Sequence, residues 1–261
     1  MRSSAPLYDS LAPAYEEHFA VPHRRAYDDL AWEICTAALP TPPAEVVDVG
    51  CGVGRWAERL RDAGYVVTGV EPAPGMAERA ARRLGQRESD RFSLLRQRVE
   101  DVELRPGSVD AVVAMGSLQY TEDPLHQVAR MAGWLRPGGV LAVLVDSLHA
   151  LVLELVAAGR LDEALLRMST RRGVWTLDGV DADLHLLDVA TLRAACADAG
   201  LEVVRVAGLL VGATAHGRDG LRRRLESDYA GTLDVERRLA AEPGLADAGK
   251  QLLIVGRRPA R

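Results

Sequence analysis

Lysine is nearly missing from this chain: of its 32 lysine and arginine residues, only Lys250 is a lysine. The arginines are interleaved with 37 acids and leave a formal net charge of −5, so no basic excess is available to neutralise a phosphate backbone. A nucleic-acid partner is therefore not expected. Cysteine is equally scarce. Cys35, Cys51 and Cys196 show neither the spacing of metal ligands nor the even count of a disulfide framework, which points to a reducing compartment. No apolar run approaches the ~20 residues that cross a bilayer. The stretch from Met1 to Ala20 is broken by Pro6 and Pro13 and carries Asp9, Glu16 and Glu17, so it lacks the apolar centre of a signal peptide. A cytoplasmic protein with no membrane partner, monomeric or homodimeric, is expected.

What the chain does have is 48% hydrophobic content over 261 residues, enough for one substantial core. The segment up to about Thr41 has helical spacing at Tyr27, Leu30, Ala31, Ile34 and Ala38, closed by Pro40-Thr41-Pro42-Pro43. Strand and helix patterns then alternate. Strands are expected over 45–49, 65–70, 92–99, 109–115 and 140–145, with helices over 55–63, through Met76, Ala80 and Leu84 to Gly85, and over 124–135. Residues 147–187 break the rhythm with two helical patterns (Leu148, Val152, Leu155; Leu161, Leu165, Met168) and an irregular stretch from Trp175 to Asp183. Beyond them Asp188 is a candidate N-cap, a strand starts at Leu201, and 251–256 is another. Connections too long for hairpins call for an α/β fold: a doubly wound, mainly parallel seven-stranded sheet with helices on both faces. The expected organisation is a helical lid over 1–43, a ligand-binding core over 44–146, a helical cap over 147–187, and the completion of the sheet over 188–261.

The most informative segment is Val46-Val47-Asp48-Val49-Gly50-Cys51-Gly52-Val53-Gly54, a strand running into a glycine-rich turn and then a helix. Glycines at alternate positions let the backbone turn tightly and approach a ligand that a β-carbon would push away. The turn follows the first strand, at whose carboxyl end open α/β sheets bind ligands. Nicotinamide dinucleotides use a related turn, but their third glycine falls three residues after the second, where this chain has Arg55.

The Asp48-to-Gly54 segment resembles motif I of class I S-adenosylmethionine (SAM)-dependent methyltransferases, and further segments follow in that family's order. The resemblance implies that Asp48, Gly50, Cys51, Gly52 and Gly54 form the turn against the amino-acid end of SAM. It makes Glu71 the acid on the ribose hydroxyls, a role that suits an acceptor-only carboxylate. Pro72 follows that acid, and Met76 takes the position that packs on adenine. Val99-Glu100-Asp101 resembles the segment that holds the adenine edge; Arg98 replaces the acid often found before it, leaving Glu100, Asp101 or the backbone alone as the reader of the base. Gly107 to Val113 resembles the fourth strand, which leads to Met115 and Gly116 on the cofactor, and Leu135 to Gly139 resembles the loop before the fifth. The implied cofactor is SAM, with S-adenosylhomocysteine (SAH) as product, and the implied substrate is a small molecule methylated on O, N or C, with natural-product tailoring as the setting.

SAM carries its own leaving group, so positioning does most of the work and no metal is required. In the family, the amino-terminal helix, the loop after strand four and the insert after strand five enclose the acceptor. Here these supply Tyr8, Tyr15 and His18; Ser117, Gln119 and Tyr120; and His149 and His185. Tyr8 is expected over SAM. Tyr15, His18, Ser117, Gln119 and Tyr120 are expected against the substrate, and Tyr15, His149 and His185 are the candidate catalytic groups, a histidine being the natural base near neutral pH. Asp181, Asp183 and His185 alternate and share a face on an extended segment, leaving a divalent metal open there; no metal is assigned. Two further readings remain: a SAM-binding protein that catalyses no methylation, acting as a scaffold or cyclisation catalyst, and a dinucleotide oxidoreductase.

Overall fold

The computed structural model describes residues 2–85 and 91–260, the side chains of His18, Phe19 and Arg218 excepted. Three helices open the chain, α1 (Ala5–Leu11), α2 (Tyr15–Phe19) and α3 (Pro22–Thr36). Then come β1 (Glu45–Val49), α4 (Arg55–Asp62), β2 (Val66–Val70), α5 (Pro74–Gly85), β3 (Phe92–Leu95), β4 (Val109–Met115), α6 (Pro124–Trp134) and β5 (Leu135–Asp146). The insert holds α7 (Leu148–Ala157), α8 (Leu161–Thr170), β6 (Arg172–Leu177) and β7 (Val180–His185). The chain finishes with α9 (Val189–Asp198), β8 (Glu202–Leu209), α10 (Gly212–Ser227), α11 (Tyr229–Ala240) and β9 (Gln251–Arg257).

The main sheet has seven strands in the order β3-β2-β1-β4-β5-β9-β8, parallel from β3 to β5, with β9 antiparallel to both its neighbours. Alternate side chains of one strand enter opposite layers, as the pleat requires. Val46 packs with Leu30, Leu60 and Leu225 on one face, while Val47 and Val49 pack with Val128, Met131 and Leu192 on the other. Strand order reverses between β1 and β4, which opens a crevice at their carboxyl ends. The site lies there.

Element ends follow ordinary capping chemistry. Asp123 accepts the N–H groups of Leu125 and His126 at the start of α6, and Asp188 accepts that of Thr191 at the start of α9. Three expectations need correction. The irregular stretch near Trp175 is a hairpin, β6 pairing antiparallel with β7 from Arg172–His185 to Leu177–Val180. Strand β3 ends at Leu95, and Val99–Asp101 form a 3-10 turn. Helix α8 has its apolar side outward: Leu161, Leu165 and Met168 are exposed and Ala164 is buried, because Glu163 and Arg167 are turned toward the cavity described below. Two helices after β8, α10 and α11, were not expected from the sequence.

Candidate active site

The glycine turn is fixed from three sides. The N–H groups of Gly50 and Cys51 both donate to the carbonyl of Val70 at the end of β2, at 2.8 and 3.0 Å. The Ser117 hydroxyl, on the loop after β4, donates to the carbonyl of Val49. A β-carbon on Gly50 would lie 2.2 Å from that of Ser117, so the two loops cross at a distance only glycine permits. Gly52, at φ +56°, faces Tyr15 instead: a β-carbon there would lie 3.8 Å from the Tyr15 hydroxyl, in ordinary contact. The Cys51 side chain points away, against Gly69 of β2.

Glu71 sits at the end of β2 and is buried. Its Oε2 accepts the Gly52 N–H at 2.9 Å and its Oε1 accepts that of Ala73 at 2.8 Å. Burial pushes its carboxyl up to about 7 despite those bonds. Asp48, buried in β1, is also raised to about 7 by burial and then by the charge of Glu71. It accepts a backbone bond from Ala57, yet its Oδ2 is left without a partner among the described residues. Asp48 is among the residues that line a small cleft of about 40 Å³, together with Gly50, Cys51, Tyr15 and Arg55. A buried acceptor beside an arginine fits the ammonium and carboxylate of an amino acid, so these residues suit the amino-acid end of SAM.

The amino-terminal helices cover this region. Asp9 accepts the Gly75 N–H at 2.7 Å, tying α1 to α5, and Met76 is fully buried with Leu11, Ala12, Val53 and Ala73. Buried Asp28 of α3 accepts from Trp56 Nε1 at 2.6 Å and from Arg55 and Arg59 at 2.9 and 3.1 Å, which anchors α3 on α4 beside the turn. Pro72 is exposed, and Asp101 is exposed in its 3-10 turn, while Val99 is buried. The Glu100 carboxylate is held by Arg98 and by the Glu122 N–H, each at 3.1 Å, so it is directed to the loop before α6.

A cavity of about 450 Å³ begins at Met115 and Gly116 and runs under the insert. Tyr8, Tyr15, Gln119 and Tyr120 line it as well. His149 and His185 do not. His149 lies 3.4 Å from Asp247, and His185 contacts Arg172 at 2.8 Å and the carbonyl of Glu122 at 3.2 Å; burial and Arg172 lower its pKa. Asp181 and Asp183 are ion-paired with the guanidinium of Arg2, and no group of three potential metal ligands occurs among the described residues. The His18 side chain lies outside the described part.

Asp146 and Trp175, which line the cavity, escaped the sequence reading. Asp146 ends β5, and the carboxyl end of a parallel strand beside the glycine turn is a signal that could have found it. Its Oδ2 accepts from Gln119 Nε2 at 2.9 Å, and its N–H donates to Gln119 Oε1 at 2.8 Å. Trp175, on β6, carried no such signal.

A family model described as a methyltransferase domain matches residues 47–143. The chain is 31% identical over 189 residues to the ubiquinone biosynthesis O-methyltransferase of Xanthomonas euvesicatoria pv. vesicatoria, covering 71% of this chain and 74% of the relative. It spans about half the length (48%) of the enzymes of that name from Xanthomonas campestris, at 35% identity. In structure it is similar to a SAM-dependent methyltransferase from Mesorhizobium loti, with TM-score 0.59, 17% identity and coverage of 88% of this chain and 98% of that one. It is also similar to the [4+2]-cyclase SpnF, with TM-score 0.64, 17% identity and coverage of 98% and 95%. This chain belongs to the class I SAM-dependent methyltransferase family.

Proposed function

We propose that the protein transfers the methyl group of SAM to an O, N or C atom of a small molecule enclosed in the cavity beneath the insert. The observation that carries this reading is the position of that cavity, which starts at Met115 and Gly116 beside the glycine turn and is overlaid by the chain's own amino-terminal helices and hairpin. Its volume of about 450 Å³ suits a compact acceptor.

Bound SAM supplies a methyl group on a sulfonium whose departure leaves a neutral thioether. The glycine turn, Asp48 and Arg55 would hold its amino-acid end, Glu71 its ribose, and the buried surface around Met76 its adenine. Tyr8 and Tyr15 exclude water above the turn and limit how the acceptor can approach, and such alignment is the main contribution a protein makes to this displacement. Neither histidine of the insert faces the cavity, so proton removal, where the acceptor needs it, falls to a group that does. Buried Cys35, Cys51 and Cys196 are all unpaired, which suits a reducing compartment, and no helix among the described residues is long and apolar enough to cross a membrane. Natural-product tailoring remains the proposed setting on family resemblance.

Calorimetric titration with SAH, with nicotinamide dinucleotide as control, tests the cofactor. Micromolar binding of SAH alone, about 8 kcal/mol, is expected. Because the same fold also carries a [4+2]-cyclase, acceptor screening by mass spectrometry must then detect a methylated product. Tight SAH binding with turnover of a substrate but no methylation would instead favour the non-methylating reading.

A further inference from the structure

The end of the cavity next to the glycine turn has an unusual pairing of surfaces. The Tyr8 ring stands edge-to-face with Tyr120 (centroids 5.6 Å, 86°) and with Trp175 (5.5 Å, 68°), and Tyr120 and Trp175 lie 6.5 Å apart. These rings come from α1, the loop after β4 and β6, elements far apart in sequence, and all three line the cavity. Asp146 lines it too. Its partner is neutral Gln119, and no ion pair of Asp146 is found among the described residues. Its charge is felt by the rings: it helps to raise the phenols of Tyr8 and Tyr120, the latter pushed up to about 12 mainly by burial.

A half-buried carboxylate whose side chain is bonded to a neutral amide attracts a cation that enters the same cavity. Aromatic faces attract the same kind of ligand, because their quadrupole presents negative charge to a cation within about 6 Å. Arg24 also lines the cavity and its charge acts on Tyr15, Tyr27 and Tyr120, but it is engaged by an interaction of its own and forms no ion pair with Asp146. The other basic residues of the cavity wall, Arg160, Arg167 and Lys250, are already paired with Glu163 and Glu154.

We infer that Tyr8, Tyr120, Trp175 and Asp146 form a recognition site for a positively charged nitrogen, so that the small-molecule substrate is an amine or quaternary ammonium compound. This rests on the methyltransferase reading and narrows its substrate class. The nitrogen is the handle by which the substrate is held, whichever atom accepts the methyl group. The other cation that could enter the site is the sulfonium of SAM itself, and the two sources give different outcomes.

The test titrates choline and its uncharged carbon isostere, 3,3-dimethylbutan-1-ol, into the SAH-saturated protein, and compares SAM with SAH in the free protein. The expected result is choline binding at least about tenfold tighter than the isostere. Trp175→Leu and Asp146→Asn should each remove most of that preference while SAH affinity stays within about twofold, and Asn at 146 keeps an acceptor for Gln119. Equal binding of choline and isostere, or no binding of either, with SAH still bound, overturns the amine proposal and leaves the methyltransferase reading standing. A preference for SAM over SAH that disappears in Trp175→Leu, without choline binding, assigns the rings to the sulfonium and also overturns it. Failure to bind SAH at all overturns the underlying reading, and the proposal with it.

Discussion

Replacing Gly50 by alanine tests how tightly the glycine turn is held against the loop after β4. Gly50 has φ +70°, where an L-residue costs about 1–2 kcal/mol. A β-carbon there would overlap Ser117, at 2.2 Å from its Cβ and 2.8 Å from its Oγ. Relieving that overlap means moving a loop whose hydroxyl is bonded to Val49, which adds about 1–3 kcal/mol. The total is roughly 2–5 kcal/mol, and at about 2–4 °C per kcal/mol Tm should fall by about 4–20 °C. Ser117→Gly alone loses one hydrogen bond, about 1 kcal/mol, plus a comparable entropic cost. In the double variant the overlap is gone while the φ cost and the costs of Ser117→Gly remain, so it should be more stable than the sum of the single effects by about 1–3 kcal/mol. Denaturant unfolding of the four proteins, with SAH calorimetry on each, measures this. A Gly50→Ala protein melting within about 2 °C of the parent, or a strictly additive cycle, would refute the steric account.

Gly52→Leu and Glu71→Ala should each weaken SAH binding at least about tenfold while circular dichroism shows an intact fold, since a side chain on Gly52 would enter the gap between the turn and the Tyr15 hydroxyl, 3.8 Å from its Cβ, and Glu71 is the acceptor between the turn and Ala73; unchanged affinity in both variants would sink the cofactor assignment. The raised carboxyl of Glu71 has a defined sign in stability. Its folded-state value near 7 exceeds the ordinary 4.5, so the stability it contributes is fully present below about pH 4.5 and lost as pH rises through 7. That amounts to about 3 kcal/mol at most, and Asp48 acts in the same direction. Urea midpoints should therefore fall between about pH 5 and about pH 8, less steeply in Glu71→Gln; an equal slope in parent and variant would contradict the assignment. Finally, His149→Ala and His185→Ala should change the rate of methyl transfer by less than about threefold, because neither ring lines the cavity. A loss of about a hundredfold or more in either would return that histidine to the list of bases.

The parallel sheet was readable because its signal is local. β4 was expected over Val109–Met115 and occurs there, and Pro124 starts α6 where its apolar periodicity begins. Helices α10 and α11 were not readable: α10 is rich in arginine and contains a glycine with non-helical backbone at Gly217, which weakens its apolar stripe. The hairpin in the insert was missed because Asp178-Gly179, a strong turn signal, is flanked by strands with little apolar alternation.

The sequence by itself determined the sheet, the glycine turn and the position of Glu71, because each is set within a few residues by periodicity, backbone freedom and the end of a strand. Tertiary structure alone decided what the turn faces. The cluster of Tyr8, Tyr120, Trp175 and Asp146 joins four separate elements, the outward turn of α8 depends on which side meets the cavity, and His185 is drawn to Arg172 and Glu122 instead of the cavity. Contacts between distant segments depend on how the elements dock, and docking is governed by burial over the whole molecule, which no local pattern encodes.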